Sequence, residues 1–482
     1  MKIDSDTAAA SISVMSLPPE LLELIFVLSV SSENVQRSMN TAMGIASVCS
    51  QWRALALSPS MQCLWIYISL HVPQVPGYKT TDKLIHEVKE GLAGYLDRSG
   101  SQSLTIDLNF DDDITPIHNA ILPIIFRERY RWERATFPAA HQGYMWEGFT
   151  VDPVPLSRLE YLNIAPSVQY EYFDHDGTGH KLKLMQAPRL RYARIPHLSD
   201  VSEFRWENMQ ILHLHNSDLF EVAKLFGMCK LLAELYLDSA YGFWGPLIPL
   251  PDNFLAKNLK VLQLTGNFHN DGDDDHVLYK ILQRLDAPNL SDLRAADLRG
   301  TELLAVQECI KRGRNGEGFR ELELDVSYEA RTGKLTLAGF ELGRILSYVP
   351  SLTDLMLCEH RVPVSNRIWM SEEPKFLVPP FFETMCKRDR EGQFRILPWL
   401  KRLTIHITGE DHFRGALKSF LEARCTPPSA LTRVNVIFDK ADTASNLFQD
   451  AQWGKVEVRR LAKWYVSALN LLLFYTSCIR KM

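Results

Sequence analysis

Apolar residues along this chain follow two different patterns. Near the start, SLPPELLELIFVLSV sets Leu21, Leu22, Leu24, Ile25, Phe26, Val27 and Leu28 around a lone charge, Glu23. Leu21, Ile25 and Leu28 fill one helical stripe, and Leu22 with Phe26 makes a second beside it. Pro18 and Pro19 suit a first turn, where amide hydrogens lack partners anyway, and Glu20 suits the positive end of the helix dipole. Such a helix either lies deep in a large core or gives one face to its own domain and another to a partner. A second helix is predicted over 45–56 from the spacing of Ile45, Val48, Cys49, Trp52, Leu55 and Ala56, closed by Ser58-Pro59. Leu64, Ile66, Ile68 and Leu70 then alternate like a strand.

The second pattern takes up the rest of the chain. Helical spacing from Leu84 to Leu96 gives way at Ser99-Gly100 to the strand-like SLTIDLNF, and ITPIHNAILPIIFRERY reads as a helix before a strand at RWERATF. From there a leucine motif keeps returning: RLEYLNI, RLRYARI, NMQILHL, LLAELYL, NLKVLQL, NLSDLRA, FRELELD, SLTDLML, WLKRLTI and ALTRVNV. Its core is apolar-x-x-apolar-x-apolar, often introduced by proline, as at Pro188, Pro288, Pro350 and Pro398. Starts roughly 20–30 residues apart are the leucine-rich-repeat register, one strand and one return per unit. NLKVLQLTGN alone completes the form, with Asn267 at the ladder position. In such an array only neighbouring units can cover each unit's apolar face. The middle variable position of each strand would face outward: Asn163, Arg194, His213, Tyr236, Gln263, Arg294, Glu323, Met356 and Thr404. These are mixed in charge and size and spell out no ligand.

The N-terminal blocks resemble the F-box, a small helical domain that docks on the Skp-type adaptor of cullin–RING ubiquitin ligases. Leu17, Pro18, Glu20, Leu21, Leu22, Ile25 and Phe26 match its Leu-Pro-x-Glu-Leu-Leu-x-x-Ile-Phe opening. Val48, Cys49 and Trp52 match Val-Cys-x-x-Trp, and Leu64-Trp65 follows in the right order. SVSSENVQRSMNTAMG, between the first two blocks, is longer and more polar than the family's usual link. DRSGSQSLTIDL and RYRWERATF also resemble F-box proteins of mushroom-forming fungi. The resemblance implies adaptor contacts by Leu17, Pro18, Leu21, Leu22, Ile25, Phe26, Val48, Cys49 and Trp52. It implies a substrate-recognition subunit that holds a target protein on its repeats, with a non-degradative scaffold or a plain repeat interaction protein as alternatives. The expected fold class is α/β: a helical F-box followed by an irregular leucine-rich-repeat-like solenoid. The expected division is a lead over 1–15, the F-box over 16–70, the solenoid over 71–440 and a helical cap or tail over 441–482.

Composition alters this picture little. A formal net charge of −5 with 46% hydrophobic residues reads as soluble and gives no broad electrostatic reason to expect nucleic acid. The eight cysteines show no CxxC spacing, which argues against zinc and a disulfide framework and for a reducing, cytoplasmic or nuclear setting. MKIDSDTAAASIS lacks the apolar stretch of a secretory signal. WYVSALNLLLFYTSCI, near the end, is slightly short for a span and contains Ser467, Asn470, Thr476 and Ser477. A buried helix over 464–479 is therefore expected before a membrane anchor.

The sequence shows no catalytic motif. RGRNGEGF is no phosphate loop, and HEVKE at His86 lacks a second histidine. His213 and His215 alternate on one strand without a third ligand, and DGDDDH at Asp271–His276 lacks the spacing of a calcium loop. NLS at Asn289 is a sequon without meaning in the cytosol. The expectation is a non-catalytic chain with no metal or cofactor.

Overall fold

The structure is a computed structural model. It describes residues 17–30, 35–72, 82–110, 116–137, 155–165, 187–195, 205–241, 253–265, 277–298, 302–313, 318–327, 338–360, 377, 379–407, 414–425, 431–438 and 456–460. The chain forms two compact units, Met1–Pro196 with Ser202–Arg205, and His197–Val201 with Trp206–Met482. Both are α/β, and every pairing among their named strands is parallel.

The first unit opens with three helices, α1 (Pro19–Val30), α2 (Val35–Val48) and α3 (Ser50–Ala56), and a 3₁₀ segment at Pro59–Trp65. The helix expected over 45–56 is thus two helices. Cys49 breaks it by taking an extended backbone and capping α3, its Sγ accepting from the Trp52 N–H at 3.4 Å. The strand expected from Leu64 begins later, because Leu64 and Trp65 close the 3₁₀ segment as buried anchors. Trp65 donates from Nε1 to the Ala56 carbonyl (2.8 Å) and meets the Tyr95 ring edge-on at 5.1 Å. Tyr95 lies on α4 (Asp82–Arg98), between β1 (Tyr67–Val72) and β2 (Leu104–Phe110). Then follow α5 (Pro116–Arg127), β3 (Trp132–Phe137), β4 (Tyr161–Ile164) and β5 (Tyr192–Ile195). The five strands stand side by side in chain order. The border expected at residue 70 is therefore bridged on both sides, by Trp65 on α4 and by β1 on β2.

The second unit runs β6 (Ile211–Asp218), α6 (Leu219–Met228), β7 (Glu234–Tyr241), β8 (Phe254–Leu255) and β9 (Val261–Thr265). Next come α7 (Val277–Arg284), β10 (Leu285–Asp286), β11 (Asp292–Leu298), α8 (Glu302–Arg312), β12 (Glu321–Ser327) and α9 (Ala338–Ser347). It ends with β13 (Asp354–His360), α10 (Pro379–Cys386), β14 (Arg402–Ile407), α11 (Arg414–Cys425), β15 (Arg433–Phe438) and β16 (Val456–Arg460). Its main sheet keeps chain order, β6-β7-β9-β11-β12-β13-β14-β15-β16, while β8 and β10 form a small pair apart. Parallel neighbours need a crossover between strands, and the helices supply it at most steps. Each leucine motif forms one strand, with its two alternating apolar residues turned into the core. Leu235 with Leu237, Leu262 with Leu264 and Leu322 with Leu324 are fully buried examples. Burying each such side chain stabilises the unit by roughly 1.5–3 kcal/mol.

Polar side chains tie successive units together at the leading edge of the strands. Asn258 Nδ2 donates to the Lys230 carbonyl (2.7 Å), Asn289 Nδ2 to Lys257 (2.6 Å) and Ser351 Oγ to Phe319 (2.8 Å). All three residues stand immediately before the first apolar residue of their motif, at one position per unit. Asn267, expected at the ladder position, lies outside the described residues, as does the run 464–479. We expect Asn258→Ala and Asn289→Ala each to cost about 1 kcal/mol, read as a fall in urea midpoint at unchanged slope. An unchanged midpoint in both variants would remove the ladder from the account of stability.

Candidate functional site

Two surfaces gather the residues singled out by sequence. The first is α1. The Leu21 and Leu22 amides donate to the Pro18 carbonyl (3.0 and 3.2 Å), so the helix starts where the prolines imply. Leu22, Phe26 and Val30 lie on one stripe and are buried, and Phe26 meets the Trp52 ring at 4.9 Å. Leu21, Leu24, Ile25 and Leu28 lie on the other side and stay 47%, 54%, 42% and 65% exposed. Glu23 sits between, accepting from Ser60 Oγ at 2.8 Å. The helix therefore gives one apolar face to its own unit and leaves Leu21, Leu24, Ile25 and Leu28 exposed.

This division corrects the expected contact set. Leu22 and Phe26 hold α1 against its own core and present nothing outward. Leu17 and Cys49 are half-buried, and Pro18 and Val48 are exposed. Trp52 is half-buried against Phe26, and its Nε1 makes no hydrogen bond among the described residues. Leu24, absent from the expected set, belongs to the exposed row. Helical spacing from Leu21 and Ile25 could have found it.

The second surface is the outward side of the parallel strands. In the first unit Asn163 pairs with Arg194, beside Thr136. In the second unit His213, Tyr236, Gln263, Arg294, Glu323, Met356 and Thr404 follow one another in register, one per strand, as a single row. Asn435 extends that row, its Nδ2 donating to Thr404 Oγ1 at 3.3 Å. Along it the His213 and Tyr236 rings stack at 4.0 Å. Arg294 binds Glu321 (2.6 Å) and reaches Glu323 (3.7 Å). Burial pushes the Glu323 carboxyl above the ordinary glutamate range, with Arg294 pulling the other way and Glu321 adding to the rise. Burial alone would lower the Arg294 pKa, but the two glutamates outweigh it and hold the guanidinium firmly charged.

The rows on either side of this one were missed by taking a single position per repeat. One holds Glu234, Asp292, Glu321 and Asp354, and the other Asp238 and Asp325. Tyr236 Oη donates to Glu234 (2.6 Å), Ser291 Oγ to Asp292 (2.5 Å), and Asp354 pairs with Arg402. Because side chains alternate with a period of two, reading two residues either side would have exposed this charge.

The chemical candidates resolve differently. His213 is engaged with Tyr236, and no group of three or more His, Cys, Asp or Glu among the described residues is placed to hold a metal. Asn289 spends its amide on Lys257. The DGDDDH loop lies outside the described residues. The described cysteines are free thiols, and burial pushes Cys229 and Cys309 up to about 12, far from thiolate reactivity at neutral pH. No helix among the described residues is long and apolar enough to cross a membrane. In comparisons with known proteins, the chain matches no family model and no curated protein.

Proposed function

We propose that this chain is the substrate-recognition subunit of an Skp–cullin–F-box ubiquitin ligase. In this reading residues 16–70 are the F-box, which holds the Skp-type adaptor and through it the cullin. Residues 71–440 are a leucine-rich-repeat-like solenoid whose outward strand face holds the protein to be ubiquitinated. The chain supplies no nucleophile; its contribution is to keep a target lysine close to the ubiquitin-charged enzyme.

The observation that carries the reading is the exposed row Leu21, Leu24 and Ile25 on a helix that already buries its opposite face. Covering three or four such side chains is worth on the order of 6–12 kcal/mol before the costs of association. That is sufficient for a stable complex without a buried ion pair.

The test is co-purification of the chain with its host's Skp-type adaptor, beside a Leu17→Ala, Pro18→Ala, Ile25→Ala triple variant. None of the three is fully buried, so the variant should fold normally. We expect the parent to retain the adaptor and the variant to lose it at least tenfold. A folded parent chain that leaves the adaptor unbound ends the ligase reading. Adaptor binding without any effect on ubiquitinated proteins would favour the non-degradative scaffold.

A further inference from the structure

We propose that Ser58 is a phosphorylation site for a proline-directed kinase, and that the phosphate releases α1 from the 3₁₀ segment at Pro59–Trp65. The consequence for binding rests on the reading of α1 as the adaptor helix: an α1 set loose from that segment holds the adaptor less well.

The setting of Ser58 suits a kinase. It stands in the short link between α3 and the 3₁₀ segment, where Leu57, Pro59 and Ser60 are exposed and Ser58 itself is half-buried. Its backbone is extended, with φ −69° and ψ 153°, as the residue before a proline prefers. Its side chain caps no helix amide. Pro59, directly after it, is the feature that a proline-directed kinase reads. In the transfer Ser58 Oγ attacks the γ-phosphorus of ATP, and the bond from that phosphorus to the β–γ bridging oxygen breaks. ADP leaves, and the serine proton passes to the kinase's catalytic aspartate.

The phosphate undoes a chain of two hydrogen bonds. Ser60 Oγ donates to Glu23 Oε1 on α1 at 2.8 Å, and the Ser58 and Ser60 hydroxyl oxygens are also 2.8 Å apart. A hydroxyl has one proton to give. Ser60 spends its own on Glu23, so Ser58 is the donor in the other bond. With phosphate on Oγ, Ser58 has no proton to give and offers three strong acceptor oxygens instead. The Ser60 proton then has two claimants, and the phosphate carries about −1.5 to −2 against the single charge of a carboxylate. Glu23 loses its partner and faces a phosphate of its own sign.

The surroundings favour release over capture of the phosphate. The basic residue nearest in sequence, Arg53, gives its Nε to the Ala46 carbonyl (2.9 Å). Ser58 follows the last turn of α3, the negative end of that helix's dipole, and the 3₁₀ segment begins at Pro59, which has no amide hydrogen to offer. The Glu23 charge already reaches the 3₁₀ segment: burial pushes the Cys63 thiol up, and Glu23 adds to the rise. Leu21, Leu24 and Ile25 flank Glu23 on α1, so a change in how α1 is held moves the exposed row.

The experiment uses the full chain, in two steps. It is first incubated with ATP and purified mitogen-activated and cyclin-dependent kinases, and phosphate is mapped by mass spectrometry beside Ser58→Ala. We expect near-complete phosphorylation of Ser58 by at least one of them; none at Ser58 from either overturns the assignment. The chain is then prepared with phosphoserine installed at Ser58 and compared with the parent by hydrogen exchange along α1 and by adaptor co-purification. We expect α1 exchange to rise and adaptor retention to fall, each about tenfold. Ser58→Ala, which keeps the Ser60–Glu23 bond, should match the parent in both. Glu23→Gln removes the opposed charge, so phosphate on Ser58 in that background should change either readout by less than about threefold. Unchanged α1 exchange on phosphorylation overturns the inference, as does an equal rise in the Glu23→Gln background. Exchange over β11 and β12 should stay at the parent value; a rise there as well means unfolding of the chain and overturns it too. Adaptor held equally by both forms overturns this inference and leaves the ligase reading standing. A parent chain that leaves the adaptor unbound ends the ligase reading, and α1 exchange then judges the phosphate alone.

Discussion

Phe26→Ala should cost the first unit about 3–5 kcal/mol, while its neighbour Ile25→Ala should cost under about 1 kcal/mol. Phe26 is 1% exposed and lies against the Trp52 ring at 4.9 Å, so truncation opens a cavity where α1 meets α3. Ile25 is 42% exposed and leaves nothing unfilled behind it. The readout is hydrogen exchange along α1, α2 and α3 in the full chain. Exchange should rise at least a hundredfold in Phe26→Ala, because 3 kcal/mol exceeds two decades of an opening equilibrium. In Ile25→Ala it should stay within a few-fold of the parent, although the ligase reading has that variant weaken the adaptor complex. Equal protection in the two variants would mean that the inward and outward stripes of α1 have been misassigned.

That contrast also marks how far the sequence could be read. The start of α1 is legible because two prolines and Glu20 admit few alternatives at that point. Its inward side is not, because Leu21, Leu22, Leu24, Ile25, Phe26 and Leu28 are apolar all round, and a pattern without a polar face carries no direction. The break at Cys49 stays hidden for a related reason. Helical spacing runs unbroken from Ile45 to Ala56, and cysteine is not among the usual N-cap residues. The strands are far more legible, since every leucine motif forms one and the positions read one per strand fall into register within each unit. Period-two alternation with repeated leucines permits only one inward face, and a one-residue slip would turn every leucine outward.

Charge in the second unit shows the opposite limit. Glu321, Glu323 and Arg294 are ordinary surface residues in sequence. Only the parallel register of β11 and β12 brings them within 4 Å. The same holds for the ladder of Asn258, Asn289 and Ser351, whose partners are main-chain carbonyls of the preceding unit and so have no sequence signature of their own.

Arg424 is the strongest case of a role invisible in sequence, and Arg424→Ala should lower the stability of the second unit by about 3–5 kcal/mol. On the amphipathic α11 it reads as a solvated arginine near a helix end, yet it is 1% exposed. Its Nη1 donates to the Leu397 carbonyl (2.8 Å), and its Nη2 to Met385 (2.6 Å) and Ile396 (2.5 Å). The guanidinium also lies over the Phe394 ring at 3.7 Å. Met385 lies in the last turn of α10, and Leu397, Ile396 and Phe394 belong to the irregular stretch between α10 and β14, which has no ladder of its own beyond the single bridge Arg388–Phe394. Leu397 within it is fully buried at φ 51°, a left-handed backbone that a leucine holds only under constraint. Burial pulls the Arg424 pKa down to about 10, which still leaves the cation charged at neutral pH, with both Nη groups committed and Nε buried without a partner among the described residues. Alanine would take this donor from the Met385 and Ile396 carbonyls, leave the Leu397 carbonyl only the Leu400 N–H (3.3 Å), and release Leu397 from one of its restraints. Lysine would keep the charge, but a compact ammonium cannot reproduce the planar fork, so Arg424→Lys should still cost about 2–3 kcal/mol. Hydrogen exchange over 387–400 is the local readout and the urea midpoint the global one, with the loss expected first in exchange. If Arg424→Ala fell within about 0.5 kcal/mol of the parent, the Met385 and Ile396 carbonyls would be satisfied by water and the buried cation would have no role in holding this stretch.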